Sequence, residues 1–176
     1  MKILLWSSLL LISLSVNSQS KVFPIIKSTG GIYVVPDAIE RPDPSLEYKI
    51  VIDLADGVGN PAEQNMGLIN IARLINLHGI DGVPKEKLNV VVAVHSEASY
   101  SVMNNESFYE KYKTDNPNLS LYKDLSDVGV SFFICGQSLV ARNIDRNRLS
   151  PNVGIATSML TVLSTYQLRG YALFKF

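Results

Sequence analysis

The sequence predicts a single α/β domain with a mostly parallel sheet of about five strands flanked by helices. Three observations lead to this fold class. The chain has 176 residues, which is the length of one domain with a substantial core. Short β-branched runs alternate with helical segments from Glu47 onwards. One of these runs, residues 88–95, is almost continuously apolar, which is typical of a parallel strand covered on both faces.

Five segments have the pattern of strands. Each is short, rich in Val, Ile, Leu, Phe or Tyr, and followed by turn residues or a polar segment. The predicted strands are residues 48–54, 88–95, 130–134, 151–155 and 171–174. Ligands of open parallel sheets bind outside the carboxyl ends of the strands. We therefore expect function, if it resides at the sheet, to involve the segments 53–59, 95–97 and 135–137.

The helices predicted between these strands have recognisable ends. The first is expected to begin at Asn60-Pro61-Ala62-Glu63, where Asn caps, Pro is the first helical residue and Glu closes a capping box. It is predicted to run to about Leu77, with Gly79 as its end. Further helices are predicted at 106–112, 119–127 and 138–142, and a last one that starts near Met159 and ends at Gly170.

The first eighteen residues have the pattern of a secretory signal peptide. Met1-Lys2 is a minimal positive start, residues 3–16 carry no charge, and Val16-Asn17-Ser18 offers a cleavage site before Gln19. A transmembrane span would need about 20 apolar residues, so a retained N-terminal anchor is the alternative interpretation. We expect a periplasmic or secreted protein that makes no membrane contact after cleavage.

Residues 19–47 are predicted to form an extended N-terminal arm or a small hairpin. Four prolines and the pair Gly30-Gly31 argue against a helix. The apolar runs 22–26 and 32–35 argue against a solvated linker, so we expect the arm to pack on the domain or on a neighbouring subunit. The α/β domain itself is assigned to residues 48–176.

Composition excludes several classes of function. The 16 Lys and Arg residues balance the 16 Asp and Glu residues, so the chain lacks the net positive charge of proteins that bind nucleic acid or anionic lipid. The single cysteine excludes an internal disulfide, a Cys-x-x-Cys redox pair and a multi-thiolate zinc site.

Cys135 is the strongest candidate for chemistry. It ends a predicted strand and is followed by Gly136 and a short helix, whose N–H groups and partial positive charge would stabilise a thiolate. Such surroundings lower a cysteine pKa from about 8.5 to roughly 3.5–7.5. The alternative is an inert structural thiol, because free cysteine is among the most buried residue types.

His95 is the second candidate, because it directly follows the Val-rich strand. A histidine there would orient a sulfur species or move a proton, and a purely structural role is the alternative. His78, His95, Glu97 and Cys135 match no metal-ligand spacing, so no metal is predicted. The turn 56–60 lacks both the dinucleotide-binding glycine spacing and the P-loop ending, so no cofactor is predicted.

Three segments resemble the DsrE/DsrF-like family. Residues 94–98, Val-His-Ser-Glu-Ala, resemble its V-H-G-x-A segment, with Ser96 in the place of the glycine. Residues 129–142 resemble its G-V-x-F-x-x-C-x-N-T-L-x-A-R block, with Gln137-Ser138 in the place of Asn-Thr. The C-terminal P-x-V and G-Y-A pattern is matched by residues 151–153 and 170–172, so the resemblance covers about residues 48–176.

The resemblance implies a compact α/β fold of the YchN-like or flavodoxin-like type, assembled as trimers or hexamers. In sulfur-relay members of the family, the matching cysteine accepts sulfur as a persulfide and passes it to a partner protein. Carried over, Cys135 would be the sulfur-carrying nucleophile and His95 its neighbour on the same edge of the sheet.

The leading hypothesis is therefore a periplasmic, sulfurtransferase-like persulfide carrier with an unidentified sulfur donor or acceptor. Two alternatives stay open. The protein would be a non-catalytic subunit for small-ligand binding or assembly if Cys135 is inert. It would be a thiol redox sensor if Cys135 forms reversible mixed disulfides.

Overall fold

Five strands form one parallel sheet in the computed structural model, which describes residues 19–57 and 59–176. The predicted signal peptide, residues 1–18, lies outside the described residues. The strands are β1 (Tyr48–Leu54), β2 (Leu88–Val94), β3 (Ser131–Cys135), β4 (Val153–Ala156) and β5 (Ala172–Lys175). Their order across the sheet is β4-β3-β2-β1-β5, and all four pairings are parallel. The predicted fold class is thus confirmed.

In the described part of the chain, five α-helices connect or flank the strands. They are α1 (Met66–Ile80), α2 (Asn105–Tyr112), α3 (Leu119–Asp127), α4 (Gly136–Ala141) and α5 (Met159–Leu168). Short 3-10 helices lie at Lys85–Lys87, Ser96–Val102 and Arg146–Arg148. The Ser96–Val102 helix was not predicted, because that stretch of sequence has no clear apolar period.

The register of the strands aligns the carboxyl ends of β1, β2, β3 and β4 at one edge of the sheet. Leu54, Val94, Ile134 and Ile155 lie side by side on β1, β2, β3 and β4. The residues that follow them therefore emerge together. We call this side of the sheet the carboxyl edge.

The two faces of the sheet are covered unequally. One face packs β-strand residues such as Ile52 and Val92 against α1, α2, α3 and the arm, in the larger of two apolar clusters. The other face packs Val51, Val91 and Ala93 against α5 alone. Because successive strand residues point to opposite faces, odd-numbered positions of β1, β2 and β3 face α5.

The first helix begins later than the sequence predicted. Residues 60–63 form a turn in which the Glu63 N–H donates to the Asn60 carbonyl at 3.0 Å. The helix starts at Met66, since the buried Asn65 side chain accepts from the N–H groups of Gly67 and Leu68 at 2.8 and 3.3 Å. Asn65 rather than Asn60 is the N-cap.

The same helix also ends later than predicted. Gly79 lies inside α1, which continues to Ile80. A Cβ atom at Gly79 would come within 2.5 Å of the Ile25 Cδ1 atom. The glycine is thus explained by the close approach of the arm rather than by the helix end.

Residues of the N-terminal arm pair with one another and dock on α1. Val22 and Ile32 form an antiparallel bridge with N–H to carbonyl distances of 2.8 and 3.0 Å. The fully buried Asn76 side chain accepts from the Ile25 and Ile26 N–H groups at 2.9 and 2.8 Å. Its amide donates to the Ile26 and Gly30 carbonyls, each at 3.1 Å. Asn76 therefore anchors the arm on α1.

Candidate functional site at the carboxyl edge

Three chemically active side chains emerge at the carboxyl edge from adjacent strands. Asp53 lies near the end of β1, His95 directly follows β2, and Cys135 ends β3. Asp53 and Cys135 are at odd-numbered positions, which the strand alternation directs toward the α5 side of the sheet. The sequence-predicted residues His95 and Cys135 therefore share one edge.

Cys135 is a free, almost completely buried thiol, with 3% of its surface exposed. Its Sγ atom lies 3.9 Å from the Oγ atom of Ser158, which is the N-cap of α5. The other polar groups around the sulfur are the backbone N–H groups of Met159 and Ser138 and the hydroxyl group of Ser138. The beginnings of α4 and α5 thus converge on one sulfur atom. We call these four residues the thiol site.

The balance of these surroundings lowers the pKa of the Cys135 thiol below its ordinary value. Burial is the largest single influence, and it raises the pKa because it disfavours the charged thiolate. The two N–H groups and the two hydroxyl groups act in the opposite direction and together outweigh burial. The thiol site therefore favours the nucleophilic form of the cysteine.

The hydroxyl groups of the thiol site are oriented by backbone donors. Ser158 Oγ accepts from the Leu160 N–H at 3.2 Å, and Ser138 Oγ accepts from the Ser96 N–H at 3.3 Å. An oxygen that accepts from the backbone keeps its own proton for another partner. Each hydroxyl proton is thereby available to the Cys135 thiolate.

Both ring nitrogens of His95 have partners other than Cys135. Its Nε2 atom lies 2.5 Å from Asp53 Oδ1, across the strand pair β1–β2, and its Nδ1 atom lies 2.9 Å from Ser96 Oγ. The N–H group of Ser96 links His95 to the thiol site, because it donates to Ser138 Oγ.

The remaining candidates have structural partners. Arg142 Nη2 forms an ion pair with Glu97 Oε1 at 3.1 Å. His78 Nδ1 lies 2.8 Å from the Leu74 carbonyl, and its ring packs edge-on against Tyr48. Within residues 19–57 and 59–176, no group of three His, Cys, Asp or Glu residues is arranged to hold a metal ion.

A cleft of about 350 Å³ lies between α4 and the end of β4. It is lined by residues of these two elements, Thr157 and Arg146, and includes Gly136, which directly follows Cys135. Gly136 packs against β4, since a Cβ atom there would be 2.8 Å from the Ala156 carbonyl oxygen.

Sequence reasoning missed three residues of this edge. The sequence analysis assigns no role to Asp53, which begins the candidate segment 53–59. It also assigns no chemical role to Ser138, which begins a predicted helix and departs from the family block. Ser158 was overlooked, although a serine directly before an apolar helical segment is an N-cap signal. An N-cap that follows a predicted strand lies at the carboxyl edge, which is the information that could have placed Ser158 near Cys135.

Comparison with known proteins agrees with this architecture. The model of the DsrE/DsrF-like family matches residues 49–176. The chain belongs to the DsrE/DsrF-like family. Two solved structures show the fold of this family at low sequence identity. The YchN protein of E. coli has a TM-score of 0.54 and 21% identity, over 73% of this chain and 99% of that one.

A protein of unknown function from Methanobacterium thermoautotrophicum, MTH1491, has a TM-score of 0.56 and 17% identity, with the same coverage of 73% and 99%. Curated protein sequences gave no match. The expected YchN-like α/β fold of this DsrE/DsrF-like chain is therefore confirmed.

Proposed function

We propose that Cys135 carries sulfur as a persulfide and that the protein is a sulfurtransferase-like carrier. The observation that carries this proposal is the thiol site, in which two backbone N–H groups and two serine hydroxyl groups surround one sulfur atom and lower its pKa. These donors stabilise the charged form of the sulfur and outweigh the opposing effect of burial, so the site favours an anionic sulfur species.

The reaction begins when the Cys135 thiolate attacks the outer sulfur of a sulfane-sulfur donor. With thiosulfate, the new bond joins Cys135 Sγ to the sulfane sulfur, the bond between that sulfur and the sulfonate group breaks, and sulfite leaves with the electron pair. The product is the Cys135 persulfide anion. Transfer to an acceptor thiolate reverses the roles, and Cys135 leaves as a thiolate held by the same donors.

Mass spectrometry of the intact protein tests this proposal directly. After incubation with thiosulfate or polysulfide, we expect an adduct of about 32 Da, one sulfur atom, that is removed by reductant. The adduct should be absent from a Cys135→Ser variant. A folded wild-type protein that gains no such adduct from either donor would overturn the proposal.

The second candidate function is a binding or assembly subunit in which Cys135 is inert. The 3% exposure of the residue favours it, because an attacking reagent must first reach the sulfur. Titration of the native protein with a small aromatic disulfide separates the two functions. A persulfide carrier reacts in the native state, whereas an inert thiol reacts only after unfolding.

We also propose that the protein forms homo-oligomers, either trimers or hexamers. Among the described residues, α5 is the one helix on its side of the sheet, and its side chains Leu160 and Leu168 are 70% and 90% exposed. Parallel sheets are normally covered on both faces. Light scattering after gel filtration should give a multiple of the monomer mass, and Leu160→Glu should reduce it.

Export is the last element of the proposal and rests on the pattern of residues 1–18. N-terminal sequencing of the protein purified from its native host should begin at or near Gln19. Within the described part of the chain, no helix has the length and apolar character that a bilayer span requires.

A further inference from the structure

Ser96, His95 and Asp53 form a continuous hydrogen-bonded chain that the sulfur chemistry of Cys135 does not use. Ser96 Oγ lies 2.9 Å from His95 Nδ1, and His95 Nε2 lies 2.5 Å from Asp53 Oδ1. The Asp53 and His95 side chains are only 16% and 14% exposed, so the pair is largely shielded from water. A serine hydroxyl, an imidazole and a carboxylate in this order are the components of a nucleophile activated by a general base.

Asp53, the last member of the hydrogen-bonded series Ser96–His95–Asp53, determines which atoms of the other two residues carry protons. An ionised Asp53 can only accept, so His95 Nε2 carries the ring proton and Nδ1 is the unprotonated nitrogen. Ser96 must then donate its hydroxyl proton to Nδ1. This is the arrangement in which the imidazole takes the proton when the serine oxygen attacks, with the roles of the two ring nitrogens exchanged relative to the familiar hydrolase triad.

The backbone of Ser96 adopts a left-handed conformation, which is uncommon for a residue other than glycine. Its φ angle is +50°, in the left-handed region that favours glycine and is unfavourable for other residues. It stands directly after His95 at the end of β2 and begins the Ser96–Val102 helix. A nucleophile on a sharp, strained turn from a central strand into a helix is the geometry of serine hydrolases. Ser96 is a partly exposed residue.

We propose that Ser96 is a second nucleophile of this protein and that it hydrolyses small carboxylic esters. Ser96 Oγ attacks the ester carbonyl while His95 Nδ1 takes its proton, and the alkoxide leaves with that proton as the alcohol. Water then attacks the acyl-Ser96 ester with His95 again as the base, and the carboxylic acid is released. Asp53 holds the imidazole and stabilises its protonated form throughout. This activity is independent of the sulfur chemistry.

A fluorophosphonate probe on the Cys135→Ala protein tests the proposal without interference from the thiol. Attack by Ser96 breaks the P–F bond, forms an O–P bond and releases fluoride, so the expected product is one phosphonyl group that peptide mapping locates on Ser96. Ser96→Gly in the same background should abolish labelling. Glycine tolerates the positive φ angle and keeps the N–H that binds Ser138, so this variant is expected to fold.

The Asp53→Asn variant tests whether Ser96 is an activated nucleophile or only a hydrogen-bonded serine. In the Cys135→Ala background it should slow both labelling and the hydrolysis of p-nitrophenyl acetate by at least about 100-fold. Absence of the phosphonyl group from Ser96, or labelling that Asp53→Asn leaves unchanged, would overturn the proposal. Persulfide formation by the wild-type protein would be unaffected by that result.

Discussion

The Sγ atom of Cys135 lies 3.9 Å from the Oγ atom of Ser158, the residue that caps α5. This contact joins the end of β3 to the beginning of a helix that follows β4 in the sequence. With the N–H groups of Met159 and Ser138 and the Ser138 hydroxyl group, it belongs to the set of hydrogen bonds that lowers the pKa of Cys135 although burial raises it. Capping a helix and stabilising a thiolate are here two tasks of one hydroxyl group.

Ser158→Ala should therefore weaken the thiolate. The variant loses the weakest of the four donors around the sulfur, so we expect the rate of Cys135 alkylation at neutral pH to fall by roughly two- to threefold. The ultraviolet absorbance of the thiolate, followed against pH, should shift to higher pH. Ser164→Ala is the matched control, because Ser164 lies on the exposed side of the same helix and donates only to the Thr161 carbonyl. Equal titration curves for the two variants would refute the role of Ser158.

The lowered pKa of Cys135 also predicts how stability depends on pH. Between the pKa of the folded protein and the unfolded value of about 8.5, the unfolded chain binds more protons at Cys135 than the folded one. The free energy of unfolding of the wild type, relative to Cys135→Ser, should therefore rise with pH through this window. The contribution is fully present above about 8.5 and is lost as the pH falls through the folded pKa. Urea unfolding at several pH values under reducing conditions measures it, and a difference that is constant or falls with pH would contradict the assignment.

Asn76→Ala should release the N-terminal arm. The buried amide makes hydrogen bonds to the Ile25 and Ile26 N–H groups and to two carbonyls of the arm, and its loss leaves those backbone groups without partners. We expect a loss of about 3 kcal/mol in the free energy of unfolding and faster proteolysis of residues 19–47. Asn70→Ala is the control, because Asn70 on the same helix binds only the Arg73 side chain. Proteolysis at the wild-type rate would show that the arm is held by other contacts.

Gly136→Ala should disturb the edge of the sheet next to the thiol. The added Cβ atom would lie 2.8 Å from the carbonyl oxygen of Ala156, which is backbone and cannot rotate away. We expect a destabilisation of about 1–3 kcal/mol and a change in the rate of Cys135 alkylation. Gly59→Ala, where the added atom meets nothing within 4 Å, provides the comparison. A Gly136→Ala protein as stable as the Gly59→Ala protein would contradict this packing.

The strands were predictable because their signals are local. The bounds of β1, Tyr48–Leu54, agree with the prediction residue for residue, since a β-branched run between polar segments specifies a buried strand by itself. The positions of His95 and Cys135 at one edge follow from the parallel sheet alone.

Features that depend on tertiary contacts were not predictable in the same way. Asn60 has the better local capping signal, yet the buried Asn65 begins α1 because it also donates to the Asp56 carbonyl at 2.7 Å. The partner of His95 is Asp53, 42 residues away, and the partner of Cys135 is Ser158, 23 residues away. No local pattern connects residues at such separations.

The pH dependence of Cys135 alkylation in the native wild-type protein tests the central claim most directly. We predict that iodoacetamide modifies the native thiol and that the rate reaches half its maximum at a pH clearly below the ordinary cysteine value of about 8.5. A half-maximal rate at or above that value would contradict the account, as would a thiol that reacts only after unfolding.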